Sequence, residues 1–176
     1  MTLSLRAPRT VEQLLNYRLM RLYAEATGPV TRWMEGQWGI SSREWRLLAL
    51  LAVHDTLSPS ALAEQAHLDR PRTSRAVTSL AGKGLARRQA QPQDGRRAQV
   101  GLTPAGKRLY DDIFPHISAL NSRLMNAIDD ATAAVLDHAL EQLTVAAIKA
   151  NRELAQDVRA NRQAGGTRRV RQWAAR

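Results

Sequence analysis

The sequence predicts a mainly α-helical chain of the α+β winged helix-turn-helix class, with about six helices and a two-stranded β-wing. Two short helices joined by a tight turn at residues 67–69 form the helix-turn-helix pattern. The second of these helices has a basic exposed side and runs into a hairpin that begins near Ala86. Long apolar seams at both ends of the chain predict further helices around this segment.

Residues 10–40 form the predicted N-terminal helical region. A helix is expected from Thr10, with one apolar side made of Val11, Leu14, Leu15, Leu19, Leu22 and Tyr23. Gly28-Pro29 should break or kink this helix, because proline lacks an N–H donor and clashes with the preceding turn. Residues 30–35 then resume the helix.

Residues 41–103 form the predicted winged segment. Ser41 and Glu44 offer a capping box for a helix that continues to about His54 and that leucines should cover on most sides. Ser58-Pro59 begins a short helix that ends near Ala66. Asp69 can cap the next helix, in which Pro71 is tolerated because first-turn amides have no helical acceptor.

The helix after Asp69 has a buried and an exposed side. Its predicted buried stripe consists of Val77, Leu80, Ala81 and Leu85, and its solvent side consists of Arg72, Ser74, Arg75, Thr78 and Ser79. Gly82 and Gly84 allow the left-handed residue that ends a helix. Asp94-Gly95 is a favourable tight-turn pair, so the hairpin tip is predicted there, before the alternating strand residues Ala98, Val100 and Leu102.

Residues 104–157 form the predicted C-terminal helices. Thr103 caps the first, Pro115 can bend it, and its seam consists of Leu109, Ile113, Ile117, Leu120, Leu124 and Ile128. Asp129 or Asp130 caps the second, whose apolar face of Val135, Ala139, Leu143 and Ala146 extends to about Ala155. The two helices are expected to form a long hairpin. The seams at both ends of the chain have no third layer to cover them, which favours a homodimer held by the N- and C-terminal helices over a closed monomer.

Charge indicates an anionic partner. The chain has a net charge of +10, and residues 69–108 carry ten Lys and Arg against two Asp. Residues 158–176, a tail predicted to be flexible, add six arginines and no acid; this tail is either a disordered end or a contact with DNA backbone. A charged run is usually a solvated surface. Here the charges lie on a helix and a hairpin that could enter adjacent grooves, which favours double-stranded DNA as the partner.

The sequence argues against several other classes of protein. Its longest apolar run, residues 47–53, is too short to span a membrane, and the N-terminus lacks a secretory signal, so a cytoplasmic protein without a membrane partner is expected. The absence of cysteine excludes disulfides and thiolate metal sites. Four widely spaced histidines, His54, His67, His116 and His138, predict no metal site. Neither a phosphate loop, a nucleophile elbow nor a carboxylate cluster is found, so neither catalysis nor a cofactor is expected.

Arginines of the second helix are the main candidates for DNA contact. Arg72 and Arg75, one turn apart, can present guanidinium groups to guanine edges or phosphates, and Thr73 and Ser74 suit phosphate or base-edge hydrogen bonds. Arg96 of the wing can enter a narrow minor groove. Asp94 is interpreted as holding the hairpin or Arg96 in place, or simply as a turn residue. The full predicted contact set is Arg70, Arg72, Thr73, Ser74, Arg75, Thr78, Ser79, Arg96 and Arg97.

Several motifs resemble the MarR family of bacterial transcriptional regulators. They are Gly39-Ile40-Ser41, Glu44-Trp45-Arg46-Leu47-Leu48, Leu62-Ala63, Thr73-Ser74-Arg75, Leu80-Ala81-Gly82-Lys83-Gly84-Leu85, Asp94-Gly95-Arg96 and Val100-Gly101-Leu102-Thr103. The likeness covers about residues 11–155, and the wing pattern is its most specific part. It implies a homodimer, a palindromic operator and repression relieved by a small ligand. Gly28-Pro29 and Pro71 depart from the family's pattern.

The resemblance also implies a ligand pocket between the dimerisation helices and the winged domain, near Trp33, Trp38, Trp45 and Arg46. An arginine among tryptophans would suit an aromatic or phenolic acid, with the ring stacked and the carboxylate paired. The alternative is that Trp45 is a core residue and Arg46 a surface charge.

Three functions follow from these observations. The first is a sequence-specific, ligand-responsive repressor that binds a palindromic operator as a homodimer. The second is a non-specific or architectural DNA-binding protein without a small-molecule response. The third is a winged-helix module that binds another protein, and it would be favoured by a lack of duplex binding at low salt.

Overall fold

The computed structural model describes the backbone of residues 5–91 and 94–157, and the side chains of residues 5–89 and 98–154. Its helices are α1 (Leu15–Gln37), α2 (Ser42–His54), α3 (Pro59–Gln65), α4 (Arg70–Gly82), α5 (Pro104–Met125) and α6 (Asp130–Asp157), and its strands are β1 (Thr56–Leu57), β2 (Ala86–Gln91) and β3 (Asp94–Leu102). The predicted basic tail, residues 158–176, lies outside the described residues. The chain divides between Asn121 and Ser122 into two compact units.

Helix α1 differs from expectation at its start and in its middle. Residues 11–13 form a short 3-10 turn, and Leu14 is extended, so the α-helix begins at Leu15 instead of Thr10. The sequence predicted a break or a kink at Gly28-Pro29; the break is wrong, because the helix continues through Pro29 to Gln37, whereas the kink stays a prediction. Proline removes one backbone hydrogen bond, and the remaining bonds of a 23-residue helix maintain it across that gap.

The three helix starts of the winged segment follow the predicted caps. The Ser41 hydroxyl accepts from the Glu44 amide, and the Glu44 carboxylate accepts from the Ser41 amide at 2.7 Å. Ser58 caps α3 by accepting from the amide of Ala61. Asp69 caps α4 by accepting from the amide of Arg72 at 2.7 Å. Each bond satisfies an amide that has no partner inside the helix.

A core of aliphatic side chains holds α2, α3, α4 and the sheet together. Its buried members are Leu47, Leu48, Leu51, Leu62, Ala66, Ala76, Val77, Leu80, Ala86 and Val100. The predicted stripe of α4 is confirmed at Val77 and Leu80, whereas Ala81 is exposed and Leu85 is half-buried. The buried side of α4 lies further towards its N-terminus, through Thr73 and Ala76. A second cluster joins Met34 and Ile40 to Ile113 of α5.

The wing is part of a three-stranded antiparallel sheet with the strand order β1-β3-β2. The short strand β1, which was not predicted, pairs Thr56 with Gly101. Strands β2 and β3 pair regularly from Ala86 and Leu102 to Ala90 and Ala98, after which the register shifts and Gln91 pairs with Asp94. The predicted turn at Asp94-Gly95 is therefore wrong. These residues begin β3, and residues 92–93, which precede them, lie outside the described residues.

The C-terminal helices begin at the predicted caps. Thr103 accepts from the Gly106 amide at the start of α5, and Asp129 accepts from the Thr132 amide at the start of α6. Along the α5 seam Ile113 is buried, Leu109, Ile117, Leu120 and Ile128 are half-buried, and Leu124 is exposed. Helix α6 leaves Val135 70% and Leu143 43% exposed. No helix within the described residues is both long and apolar enough to cross a membrane.

Candidate nucleic-acid interface

The exposed side of α4 carries a row of arginine and hydroxyl side chains. The predicted solvent side is confirmed, because Arg72, Ser74, Arg75, Thr78 and Ser79 are all exposed; Arg70, of the predicted contact set, is exposed as well. The Nε of Arg72 forms an ion pair with Asp69 at 3.2 Å, and the Nε of Arg75 donates to the Pro71 carbonyl at 3.4 Å. A guanidinium has several N–H donors, so one such bond leaves each arginine able to bind a base edge or a phosphate.

Thr73 does not belong to this exposed row. Its side chain is 1% exposed, and its hydroxyl donates to the Asp69 carbonyl at 2.9 Å. Thr73 lies one turn before Val77 on the buried side of α4, and this burial argues against the predicted contact of Thr73 with DNA. Its hydroxyl is satisfied locally, by the carbonyl of the residue that caps the helix.

Two hydroxyls of the row have partners in neighbouring elements. The Thr78 hydroxyl accepts from the guanidinium of Arg88 on β2 at 3.4 Å, and Ser79 bonds to the carboxylate of Glu44 on α2. Arg88 was not among the predicted contact residues. The only sequence signal for it was its place in the basic segment, because the alternation of β2 does not reveal which neighbour its side chain meets.

Two grooves flank α4, and both have arginine on their walls. A groove of about 370 Å³ runs between the start of α2 and α4, lined by Arg43, Glu44, Arg72 and Arg75 among others. A groove of about 180 Å³ on the other side is lined by Ser60, Arg70, Ser74 and Arg88 among others. The arginine row of α4 therefore stands between two further cationic positions, Arg43 and Arg88, neither of which the sequence analysis named.

Glu44 is a buried acid beneath the larger groove. Glu44 is 5% exposed, and its carboxylate pairs with the Lys83 ammonium at 2.8 Å. Burial raises the pKa of Glu44, but hydrogen bonds from Lys83, the Ser41 amide and Ser79 outweigh it and lower the pKa to about 2. Glu44 is therefore ionised at neutral pH and neutralised by Lys83.

The wing residues of the predicted site are described only through their backbone. Asp94, Arg96 and Arg97 lie in β3, in the stretch where the register with β2 shifts. Their side chains lie outside the described residues, so the roles predicted for them remain predictions.

The four residues of the predicted ligand pocket fall into three settings. Trp33 and Trp38 both approach His116 of α5, with ring centroids 5.9 and 5.4 Å away, and the Trp38 indole donates to Asp112 at 2.7 Å. Trp45 is half-buried and stacks on Tyr110 at 5.7 Å. We call Trp33, Trp38, Asp112 and His116 the aromatic cluster.

Arg46 makes its contacts elsewhere. Its guanidinium donates to the Ala66 carbonyl at 3.1 Å and to the Tyr23 hydroxyl at 2.9 Å. The structure thus brings Trp33 and Trp38 together but gives Arg46 polar partners outside the aromatic cluster. His116 and Asp112, which the sequence analysis did not assign to the pocket, are the polar groups beside the two tryptophans. Among the described residues, His, Asp and Glu form no group of three suited to a metal ion.

Comparison with known proteins gives consistent matches. The model of the MarR family matches residues 38–97, from the start of the α1–α2 turn into the wing. The HTH-type transcriptional regulator FarR of Neisseria gonorrhoeae is 38% identical over 77 residues, which are 44% of this chain and 53% of FarR. The match to this curated relative thus spans about half of its length.

Two solved structures extend the similarity over most of the fold. A MarR family transcriptional regulator from Silicibacter pomeroyi DSS-3 is 28% identical with a TM-score of 0.69, and the match covers 79% of this chain and 98% of that one. NadR, in a crystal structure with 4-hydroxyphenylacetate, is 26% identical with a TM-score of 0.66, covering 78% and 96%. The winged segment of this chain thus matches the model of the MarR family, and its fold is similar to that of solved MarR family transcriptional regulators.

Proposed function

We propose that this chain is a sequence-specific DNA-binding regulator that acts as a homodimer on a palindromic operator and as a ligand-responsive repressor. One observation carries the DNA-binding part: the exposed arginine row of α4 lies between two grooves that are themselves lined by arginine. Such a regulator acts on the chromosome and is therefore a cytoplasmic protein.

The arrangement suits a helix in the major groove. There, the outer side chains of the helix meet base edges, while the phosphate strands pass on either side of it. Arg72 and Arg75 lie at the outer face for base contact, and Arg43 and Arg88 lie at the flanks where phosphates would pass. The minor-groove contact expected of Arg96, and the contact of Arg97 beside it, remain predictions from the sequence.

Two apolar helix faces support the homodimer. On α1, Leu19, Met20, Leu22 and Tyr23 are exposed, and on α6, Val135, Leu136, Leu140, Leu143 and Val145 are exposed. Several large apolar side chains exposed on one helix are typical of a surface that another chain covers. Association through these helices gives the two-fold symmetry that a palindrome requires, with half-sites about one helical turn apart.

The aromatic cluster supports a small aromatic acid as the effector. Trp33 and Trp38 offer ring faces, and His116 offers a hydrogen-bond donor for a carboxylate or phenol. NadR, a structural relative, has been crystallised with 4-hydroxyphenylacetate. Titration with that compound should change the tryptophan fluorescence of this protein, and a flat titration would remove the support for this effector class.

Arginine variants test the assignment of base and phosphate contacts. Arg75→Ala should weaken operator binding by about 1 to 3 kcal/mol and relax preference at one base step in each half-site. Arg43→Ala should weaken binding equally on all sequences and reduce its salt dependence. Binding is measured by fluorescence anisotropy at several salt concentrations, on operator and on random duplex.

Arg32→Ala, which removes an exposed charge from α1, is the matched control and should leave sequence preference unchanged. Equal weakening of every duplex by Arg75→Ala would mean that Arg75 holds only phosphate. Wild-type protein without any advantage for one sequence would instead favour the architectural alternative.

A further inference from the structure

Lys83 connects the end of the recognition helix α4 to the turn between α1 and α2. It is the C-cap residue of α4. Its ammonium donates to the carbonyl of Gly39 at 2.7 Å and to the carboxylate of Glu44 at 2.8 Å. Glu44 also accepts from the Ser41 amide and from Ser79. One buried carboxylate and one ammonium therefore join α4, the start of α2 and the turn.

The same turn is attached to the aromatic cluster. Trp38 directly precedes Gly39, and its indole donates to Asp112 on α5. Gly39 has a φ of +62°, and the amide of Ile40 donates to the Met34 carbonyl, so the turn between Trp38 and Ser41 is tightly specified. Movement of the Trp38 side chain and backbone must therefore displace the carbonyl that Lys83 holds.

We propose that Lys83 is a positioning residue that transmits the state of the aromatic cluster to the recognition helix. This inference rests on the proposed function and specifies how the effector site is connected to DNA binding. A molecule that enters between Trp38 and His116 moves Trp38 away from Asp112. The Gly39 carbonyl shifts with it, Lys83 loses one of its two acceptors, and the end of α4 is no longer held against α2 in its DNA-binding position.

The alternative is that Lys83 only neutralises Glu44. In that case its removal destabilises the protein or weakens DNA binding, but the effect is independent of Trp38. The two roles differ in whether the effects on DNA affinity of substitutions at Lys83 and at Asp112, the acceptor of the Trp38 indole, depend on each other.

A double-mutant cycle on operator affinity separates these roles. Asp112→Ala removes the acceptor of the Trp38 indole without changing the arginine row, and Lys83→Met removes the ammonium while keeping a side chain of similar length. We expect each single variant to weaken operator binding by about threefold or more, and the double variant to bind no more weakly than Lys83→Met alone. Fold-changes that multiply in the double variant would overturn the proposal.

Controls make the result specific to Lys83. In a Lys107→Met background, which removes an exposed lysine from α5, Asp112→Ala should keep its full effect. Lys83→Arg, which can still donate to both acceptors, should restore the effect of Asp112→Ala. Thermal melting checks that every variant is folded, and Glu44→Gln provides a second way to weaken the same network, with the same expected loss of the Asp112→Ala effect.

The cycle also distinguishes failure of this inference from failure of the proposed function. Wild-type protein that binds no duplex would remove the proposed function itself. Wild-type protein that binds its operator, with independent effects at Asp112 and Lys83, would leave the regulator intact and remove only the connection through Lys83.

Discussion

Glu44 shows how one buried acid can set the acid stability of the winged segment. Its pKa is lowered from 4.5 to about 2 in the folded protein, so it binds a proton more readily when the chain is unfolded. A lowered pKa stabilises the folded state above the unfolded value, and this stabilisation is lost as the pH falls from about 4.5 towards 2. The shift corresponds to at most about 3 kcal/mol.

Urea unfolding between pH 7 and pH 2 measures this contribution. As the pH falls from about 4.5 towards 2, the free energy of unfolding of the wild type should decrease by up to about 3 kcal/mol more than that of Glu44→Gln. The other carboxylates contribute equally to both proteins. Parallel stability curves for the two proteins would show that Glu44 is not strongly stabilised in its ionised form.

Gly106 allows α5 to begin directly against the end of the α4–β2 turn. A β-carbon at this position would lie 2.0 Å from the carbonyl oxygen of Leu85, a backbone atom that also accepts from the Thr103 amide. Glycine inside a helix is usually less favourable than alanine by up to about 1 kcal/mol. At position 106 we expect alanine to be less favourable than glycine, because its β-carbon would collide with the Leu85 carbonyl.

Two alanine substitutions test this reversal. Gly106→Ala should destabilise the protein by about 1 to 3 kcal/mol, because the Leu85 backbone and α5 must separate. Gly36→Ala, in α1 with open space around its α-carbon, should be neutral or stabilise by up to about 1 kcal/mol. Thermal unfolding compares them, and equal shifts would contradict the close approach at Gly106.

Thr73 marks the limit of predicting single residues from the sequence. Helical spacing correctly placed Val77 and Leu80 inside, and the same spacing places Thr73 one turn earlier on that side. Its polarity favoured the solvent face, but a threonine hydroxyl can bond to a carbonyl of its own helix and so be buried without loss. Arg43 and Arg88 were missed because their neighbours come from distant parts of the chain.

At the scale of elements, α1 accommodates a proline in its interior. Pro29 has no N–H to donate to the Glu25 carbonyl, yet the helix continues for eight residues beyond it. Pro29→Ala restores that donor and should stabilise the protein by about 1 to 3 kcal/mol. Urea unfolding provides the measurement, and a loss of stability would show that packing depends on the local distortion caused by proline.

Helix starts were predictable from the sequence, whereas the reversal of the wing was not. Each cap side chain accepts from the amide three residues further along the chain, so each cap can be identified from the local sequence. The five cap residues are Ser41, Ser58, Asp69, Thr103 and Asp129. The wing register depends on β1, a strand of two residues with almost no local signal, and on an irregularity near Gln91. Pairing across the sheet thus placed Asp94-Gly95 in a strand although the dipeptide itself favours a turn.

At the scale of the whole molecule, the exposed apolar side chains of α1 and those of α6 are the surfaces that the proposed homodimer would bury. Val135, Val145 and Leu154 are each more than 60% exposed. A second copy of the chain would bury such faces and bring two arginine rows under one two-fold axis. The sequence predicted these apolar seams by their periodicity, but periodicity cannot specify which surface covers them.

The central claim is that two copies of α4 bind successive major grooves of one duplex. Footprinting the protein on the DNA upstream of its own gene tests it most directly. The claim predicts two protected half-sites related by a dyad, with centres about 10 base pairs apart. In the Arg75→Ala variant, discrimination between bases should fall at the same base step of both half-sites. Protection of a single unsymmetrical stretch, unchanged by Arg75→Ala, would contradict it.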